Sequence, residues 1–258
     1  SRNSYRIVRL KDKLGTKSMA SGEIIFYGAL AYAVGDVENG IKQMLRQVNL
    51  SRLSHGVRAA GMMRRCLNEA LAAARFRRQF GEPIVCKPLM RGQLLDILIP
   101  TEQALTAFFY AASAMRRANN DDEAGTKALR IATPLLKMMA CRDNVPVATA
   151  SMETRGGLGY IEEWVNARLI RDAQIGLLWE GTTNINAIDV VMRAVGKEHA
   201  EQALREDVIQ WLDVAGGCPG QFKSRLLQTL DRAIEFARLV ASDPANEHHC
   251  RRAAAGLY

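Results

Sequence analysis

One glutamate, Glu180, has the local setting of a catalytic base. It follows the apolar run Leu177-Leu178-Trp179 and precedes Gly181, whose backbone freedom can help to orient it. Apolar surroundings raise the pKa of a carboxyl group towards neutral pH, where it can act as a general base. The alternative is a capping arrangement, in which Thr182 or Thr183 begins a helix and the acid lies near its positive end. These residues alone leave both interpretations open.

Two further segments have residue types that suit a ligand. Arg155-Gly156-Gly157-Leu158-Gly159-Tyr160 is rich in glycine, which lets the backbone approach a bound molecule closely. Arg77-Arg78-Gln79-Phe80-Gly81 carries guanidinium groups, whose planar fork of donors matches phosphate. An ordinary loop and a solvated helix end are the alternatives.

The cysteines and histidines predict neither a disulfide framework nor a metal site. The cysteines are odd in number and no two of them form a C-x-x-C pair, which favours reduced structural thiols. Among the four histidines only His248 and His249 are close, and adjacent side chains point in different directions. The five cysteines are Cys66, Cys86, Cys141, Cys218 and Cys250.

The formal charge of +8 is compatible with nucleic acid, an anionic surface or the phosphates of a coenzyme. The arginines are spread along the chain in pairs, a distribution typical of solvated helix faces. Nucleic acid is therefore not the favoured partner. No apolar run reaches eighteen residues, because Lys137 interrupts the stretch 131–141, and the polar start Ser1-Arg2-Asn3-Ser4 lacks a signal-peptide core. We expect a cytoplasmic protein with no membrane contact.

Hydrophobic periodicity predicts a few strands followed by long helices. In residues 5–34, apolar and polar side chains alternate, and glycines interrupt the pattern. This indicates two or more short strands, which need a larger sheet to be stable. Helical spacing then begins at Gly40, and we expect bends near Gly56 or Gly61 and at Pro134 and Pro146. The helices are expected over about 40–80, 88–118, 125–152, 183–195, 200–214 and 222–241.

The resulting fold class is mainly α, a helical bundle preceded by a short β-segment. The residues 250–258 have the pattern of a helix without a stop signal. Together with strands that lack a sheet, this predicts that the chain is a piece of a longer protein.

Four segments, in their order and spacing, resemble the acyl-CoA dehydrogenase family. They are 13–26, Arg77-Arg78-Gln79-Phe80-Gly81, Gly156-Gly157-Leu158-Gly159-Tyr160 and Trp179-Glu180-Gly181-Thr182. The resemblance covers about 13–195. It implies that 1–36 end a middle β-domain, that 37–196 form the C-terminal helical bundle domain, and that 197–258 are an incomplete helical extension. Such an extension resembles that of the alkylation-response and long-chain branches.

The resemblance implies FAD-dependent α,β-dehydrogenation of an acyl-CoA thioester to its 2-enoyl form, with Glu180 as the base. In the family, the other location of the base immediately precedes an arginine of the first long helix. Here that position is Ser51, before Arg52, and serine cannot act as this base. The isolated fragment is expected to be inactive.

Further roles follow from the resemblance. Contacts with FAD are implied for Arg77, Phe80, Gly156, Gly157, Thr182 and Asn184. Contacts with substrate are implied for Arg52, Trp179 and Gly181, and Arg52 as a solvated helix-face residue is an equal alternative. Glu153 departs from the glutamine of many relatives and puts cofactor contact there in doubt. An electron-transfer flavoprotein as acceptor and a homodimer or homotetramer are also implied.

Two other functions are compatible with the same residues. One is an alkylation-response flavoprotein whose basic C-terminal region contacts DNA, suggested by the charge and the extension. The other is a helical scaffold without catalysis, which the intact Glu180-Gly181-Thr182 run argues against.

Overall fold

Three long helices form the centre of the protein. We describe them from a computed structural model covering residues 3–258; the first two residues of the polar start lie outside the described residues. Helix α1 spans Gly40–Phe76, α2 spans Pro88–Ala118 and α3 spans Glu123–Arg155. Short connections join them, so α2 runs antiparallel to both α1 and α3. This architecture confirms the predicted fold class.

The bends expected at glycine and proline do not divide these helices. Gly56 is buried where α1 meets α3, and a Cβ added there would lie only 2.5 Å from Leu136 Cγ. Its role is therefore close packing between two helices. Pro134 and Pro146 lie inside α3, which continues through both. Neighbouring helices hold the helix together where a proline removes one of its hydrogen bonds.

The first apolar core lies between α1, α2 and α3 and is rich in small side chains. Alanines at the crossings let the helix axes approach closely, and larger residues such as Met63 and Ile97 fill the space between them. The buried alanines of this core include Ala59, Ala60, Ala70, Ala74, Ala104, Ala111 and Ala140.

A second apolar core joins the opposite face of α3 to the C-terminal part of the chain. After the short helix α4 (Val165–Gln174) come α5 (Thr183–Ile188) and a π-helical continuation (Asp189–Val195). Helices α6 (Glu201–Val214), α7 (Gly220–Ala241) and α8 (Cys250–Leu257) follow. Apolar residues from α3, α5, α7 and α8 pack in this one cluster. Residues beyond 197 therefore rest directly on the bundle, and the division into three domains stays a prediction.

The strands lie at the N-terminal side and remain largely exposed. Strand β1 (Tyr5–Leu10) pairs antiparallel with β2 (Gly22–Phe26), and all six side chains of β1 are exposed. Between them, the backbone N–H of Thr16 donates to Asp172 Oδ1 on α4 at 2.5 Å. After α1, two strands of two residues each, β3 (Arg78–Gln79) and β4 (Glu82–Pro83), pair antiparallel. Within residues 3–258, no helix is both long and apolar enough to cross a membrane.

Candidate active site

Glu180 lies in a tight turn between Trp179 and the start of α5. Its φ is +55° and that of Gly181 is +93°, so two consecutive residues adopt left-handed backbone. This conformation costs a non-glycine residue roughly 1–2 kcal/mol and persists only where neighbours impose it. Thr182 begins α5 but makes no side-chain capping bond. The strained residue is therefore Glu180 itself. The side-chain hydrogen bond that Thr182 would make as a helix cap is absent.

Three side chains from different helices hold the carbonyl groups of this turn. Arg52 Nε on α1 donates to the Glu180 carbonyl oxygen at 3.0 Å. Lys137 Nζ on α3 donates to the carbonyl oxygen of Gly181. Asn186 Nδ2 on α5 donates to the carbonyl oxygens of Gly181 and Thr182, both at 2.9 Å. Hydrogen bonds from three helices of the bundle thus hold the left-handed turn in place.

The carboxylate of Glu180 is half-buried and hydrogen-bonded. Ser51 Oγ donates to Glu180 Oε1 at 3.0 Å, and His55 Nε2 lies 3.5 Å from the same hydroxyl. Ser51, which takes the place of the alternative base implied by the resemblance, therefore supplies a donor that orients the Glu180 carboxylate.

A buried ion network anchors Arg52. Its Nη1 lies 2.7 Å from Asp189 Oδ2, and the two side chains are 11% and 9% exposed. Arg130 Nη2 on α3 contacts the other Asp189 oxygen at 2.8 Å, and Arg130 Nε contacts Glu198 at 3.0 Å. Buried charges persist when they are paired in this way. Because these contacts and the Glu180 carbonyl occupy Arg52, the CoA contact implied for it remains a prediction.

Two aromatic rings and a guanidinium group lie beside the turn. The rings of His55 and Trp179 lie 5.0 Å apart, and the Arg58 guanidinium lies 5.8 Å from the Trp179 ring. Burial, followed by the charge of Arg58, lowers the pKa of His55 below its ordinary value of 6.5, while Glu180 opposes the shift. His55 is therefore held towards its neutral form.

The predicted cofactor residues Arg77, Gly156 and Gly157 meet at the far end of α1. Arg77 Nη1 donates to the Arg155 carbonyl at 3.2 Å, and a Cβ on Gly156, whose φ is +70°, would overlap that nitrogen. An open cleft of about 680 Å³ lies there, lined by Ala73, Phe76, Arg77, Arg155, Gly157, Leu158 and Ile161. Phe80 is 94% exposed, and Lys87 Nζ lies 5.6 Å from its ring.

This second cluster has the donor types that a dinucleotide needs. Among residues 3–258, Arg77 is exposed and makes one side-chain hydrogen bond, so donors of its guanidinium remain available to a ligand. A guanidinium beside a glycine-lined backbone suits phosphate oxygens. Glu153, which replaces the glutamine of many relatives, accepts a hydrogen bond from Gln93 Nε2 at 3.2 Å.

The two clusters lie far apart within one chain. Arg77 follows Arg52 by 25 positions, which corresponds to about 38 Å along α1 and exceeds the diameter of a small domain. Trp179, Glu180, Gly181, Thr182 and Asn184 lie at the Arg52 end, with Thr182 and Asn184 exposed. The predicted site residues therefore form two separate groups along the bundle.

Sequence reasoning missed several residues of the Glu180 group. Lys137 was visible as the one charge in an apolar stretch, and that interruption was the signal for a buried contact. Asp189 similarly lies between Ile188 and Val190. Asn186 and His55 had no distinguishing pattern, because their roles depend on which helices become neighbours. No group of three or more potential metal-ligating side chains occurs between residues 3 and 258.

Comparison with known proteins places this geometry in a family. The family model described as "Acyl-CoA dehydrogenase, C-terminal domain" matches residues 38–196. Acyl-CoA dehydrogenase family member 11 of Caenorhabditis elegans is 34% identical over 212 residues, covering 81% of this chain and 34% of that protein. The putative acyl-CoA dehydrogenase AidB of Escherichia coli is 35% identical over 197 residues, covering 76% of this chain and 36% of that protein.

The fold agrees with these matches. The crystal structure of Caenorhabditis elegans ACDH-11 in complex with C11-CoA has a TM-score of 0.90 and 28% identity, and the match covers 98% of this chain and 44% of that one. The chain spans about a third of the length of the two curated relatives. The resemblance noted in the sequence is thereby confirmed, and the chain belongs to the acyl-CoA dehydrogenase family.

Proposed function

We propose that this chain contributes the catalytic base and part of the cofactor site of an FAD-dependent acyl-CoA dehydrogenase. The reaction is α,β-dehydrogenation of an acyl-CoA thioester to the 2-enoyl-CoA. The observation that carries the proposal is the cross-braced left-handed turn, which presents the Glu180 carboxylate in a half-buried position. Strained backbone maintained by several donors is a common property of functional residues.

Glu180 accepts the proton from the carbon next to the thioester carbonyl. Ser51 donates to one of its oxygens and leaves the other for the substrate. The rings of Trp179 and His55 lie against each other beside the turn. The hydride that leaves the β-carbon would be accepted by FAD when the cofactor is bound. No second carboxylate occupies the position of Ser51, so Glu180 acts as the single base of this site.

Arg77, Gly156 and Gly157 hold the phosphates of a dinucleotide, and Phe80 offers an exposed ring beside it. Because about 38 Å of helix separates Arg77 from the base end, these residues serve a cofactor whose flavin reacts at another protomer. We therefore propose a homodimer or a dimer of dimers in which each flavin site is shared. An electron-transfer flavoprotein is the proposed electron acceptor, and acyl-CoA is the substrate class.

We also propose how this chain fits into the whole enzyme. The curated relatives are about three times as long as the matched part of this chain. We propose that a preceding region covers the other side of the flavin, and that the 258-residue chain alone folds without dehydrogenase activity.

The test is a visible absorption spectrum of the full-length protein, followed by anaerobic addition of acyl-CoA thioesters of different chain length and branching. A flavin spectrum that bleaches with at least one thioester supports the proposal, and the thioester that bleaches it fastest identifies the acyl class. A protein that retains FAD but is reduced by none of the thioesters contradicts the proposed reaction.

A further inference from the structure

The ammonium group of Lys137 is buried in the centre of the bundle. The residue is 1% exposed and lies on α3 between the two apolar cores. Among residues 3–258, its only side-chain hydrogen bond goes to the Gly181 carbonyl, and no carboxylate lies within ion-pair distance. The groups that face it are Arg52 and His55 from α1, Cys141 from α3 and Glu180 from the turn.

This placement does not favour stability of the fold. A buried ammonium without a carboxylate loses its hydration and regains little, and burial accordingly lowers its pKa, with Arg52 adding to the effect. An apolar side chain of similar length would fill the same space without that cost. The hydrogen bond to the Gly181 carbonyl is therefore the feature that distinguishes Lys137 from an apolar residue at this position.

That contact lies beside the base. The Gly181 carbonyl also accepts from Asn186 Nδ2 at 2.9 Å, and the preceding carbonyl accepts from Arg52. Asn186 belongs to α5, which continues directly from the turn, whereas Lys137 belongs to the rigid centre of the bundle. Lys137 is thus the donor that ties the Gly181 carbonyl to a helix distant in sequence.

We propose that Lys137 is a positioning residue for Glu180: its ammonium group holds the Gly181 carbonyl and so maintains the left-handed turn that directs the carboxylate towards the substrate. This inference rests on the proposed function of Glu180. A positioning role separates stability from activity, because removing the lysine relieves a buried charge and at the same time loosens the turn.

The first test needs neither cofactor nor substrate. Lys137→Met in the 258-residue chain should raise the rate of amide hydrogen exchange in peptides that cover 178–188 by at least about tenfold, the factor that corresponds to about 1.4 kcal/mol of lost local protection. The thermal midpoint should stay the same or rise. Met138→Leu is the matched control, since Met138 is equally buried on the next position of α3, and it should leave the exchange of that segment unchanged.

Unchanged exchange in Lys137→Met, or faster exchange throughout the chain with a lower midpoint, overturns the proposal. Lys137→Arg is the second variant. Because it keeps a charged donor at this position, amide exchange in 178–188 should stay as slow as in the wild type. If neither variant folds, the lysine is structural and the proposal is also overturned.

The second test uses the FAD-loaded full-length protein. Lys137→Met should slow flavin reduction by acyl-CoA about 100-fold, the effect of a displacement of about 1 Å in a catalytic group, while the Kd for acyl-CoA changes little. Loss of affinity with an unchanged reduction rate overturns the proposal. If the wild-type flavin is not reduced at all, the proposed reaction fails, and the exchange experiment still decides whether Lys137 holds the turn.

Discussion

The Glu180 turn and the C-terminal end of α1 differ in how their side chains are held. At the turn, the carbonyl groups accept hydrogen bonds from donors on α1, α3 and α5, and a buried ion network around Asp189 lies behind Arg52. At the Arg77 end, the guanidinium makes one hydrogen bond within residues 3–258, Phe80 is 94% exposed, and an open cleft lies beside Arg77.

The difference indicates which of the two regions has its geometry fixed by this chain alone. A group that transfers a proton needs a fixed geometry, and its own bundle supplies this at the Glu180 turn. A group that contacts a phosphate needs free donors, and Arg77 keeps them free. We infer that the first region is preorganised within one chain, whereas the second is completed by a cofactor and by other protein surfaces. Four predictions test this contrast.

The largest expected effect is at Glu180. Glu180→Gln keeps the shape of the side chain and its hydrogen bond with Ser51 but removes the base. In the full-length protein, stopped-flow flavin reduction should slow by roughly 10²- to 10⁴-fold, while FAD and acyl-CoA still bind. Reduction at close to the wild-type rate would show that another group takes the proton.

Arg52→Met tests the brace behind the turn. It removes the donor to the Glu180 carbonyl and one of the three cations that pair with Asp189, the others being Arg130 and the more distant Arg193. Because Arg130 still pairs with Asp189, we expect the free energy of unfolding to fall by about 3 kcal/mol, the low end for a broken buried pair. Urea denaturation measures this change.

The control for Arg52 is Arg64→Met on the same helix. Arg64 pairs with Glu102 at 2.6 Å on the surface, where both side chains are about half exposed. Its loss should change the free energy of unfolding by less than about 1 kcal/mol. Similar effects of both variants would show that the network around Asp189 is no more important than a surface pair.

Arg77→Ala should change cofactor binding without changing stability. Loss of charge-assisted hydrogen bonds to phosphate is expected to weaken FAD retention by roughly 10- to 100-fold. Acyl-CoA binding and the thermal midpoint should stay as in the wild type, because the Arg77 side chain is exposed and makes one hydrogen bond with the residues that the structure describes. Arg75→Ala, an exposed change two residues earlier on α1, is the control. Equal losses of FAD and acyl-CoA would assign Arg77 a structural role instead.

The smallest effect is the pH dependence contributed by His55. Because its pKa is lowered in the folded protein, the unfolded chain binds more protons near pH 6. Its contribution to stability is therefore complete above about pH 6.5 and is lost as the pH falls through the lower folded value. His55→Phe, which keeps a ring against Trp179, should reduce the fall in urea midpoint between pH 7.5 and 5.5. His248→Gln on the surface should leave that fall as in the wild type, and an unchanged fall in His55→Phe would contradict the prediction.

The long helices were predictable because their periodic pattern extends over many turns. The predicted 88–118 segment coincides with α2, and α1 and α3 end within a few residues of their predicted limits. The helix α4 was missed because it has only ten residues, and so short a helix shows few repeats of the helical period. The π-helical stretch Asp189–Val195 was read as ordinary helix, since one extra residue per turn leaves little trace in a short sequence.

The sequence by itself determined the family, the bundle architecture and the identity of the candidate base, because these depend on residue types in a fixed order along the chain. Only the tertiary structure decided what surrounds that base. Ser51, Arg52, Lys137 and Asn186 converge on the Glu180 turn from three helices. Hydrogen bonds of this kind depend on distances of about 3 Å across the bundle, and no periodicity of a single helix records which residues of two others will face it.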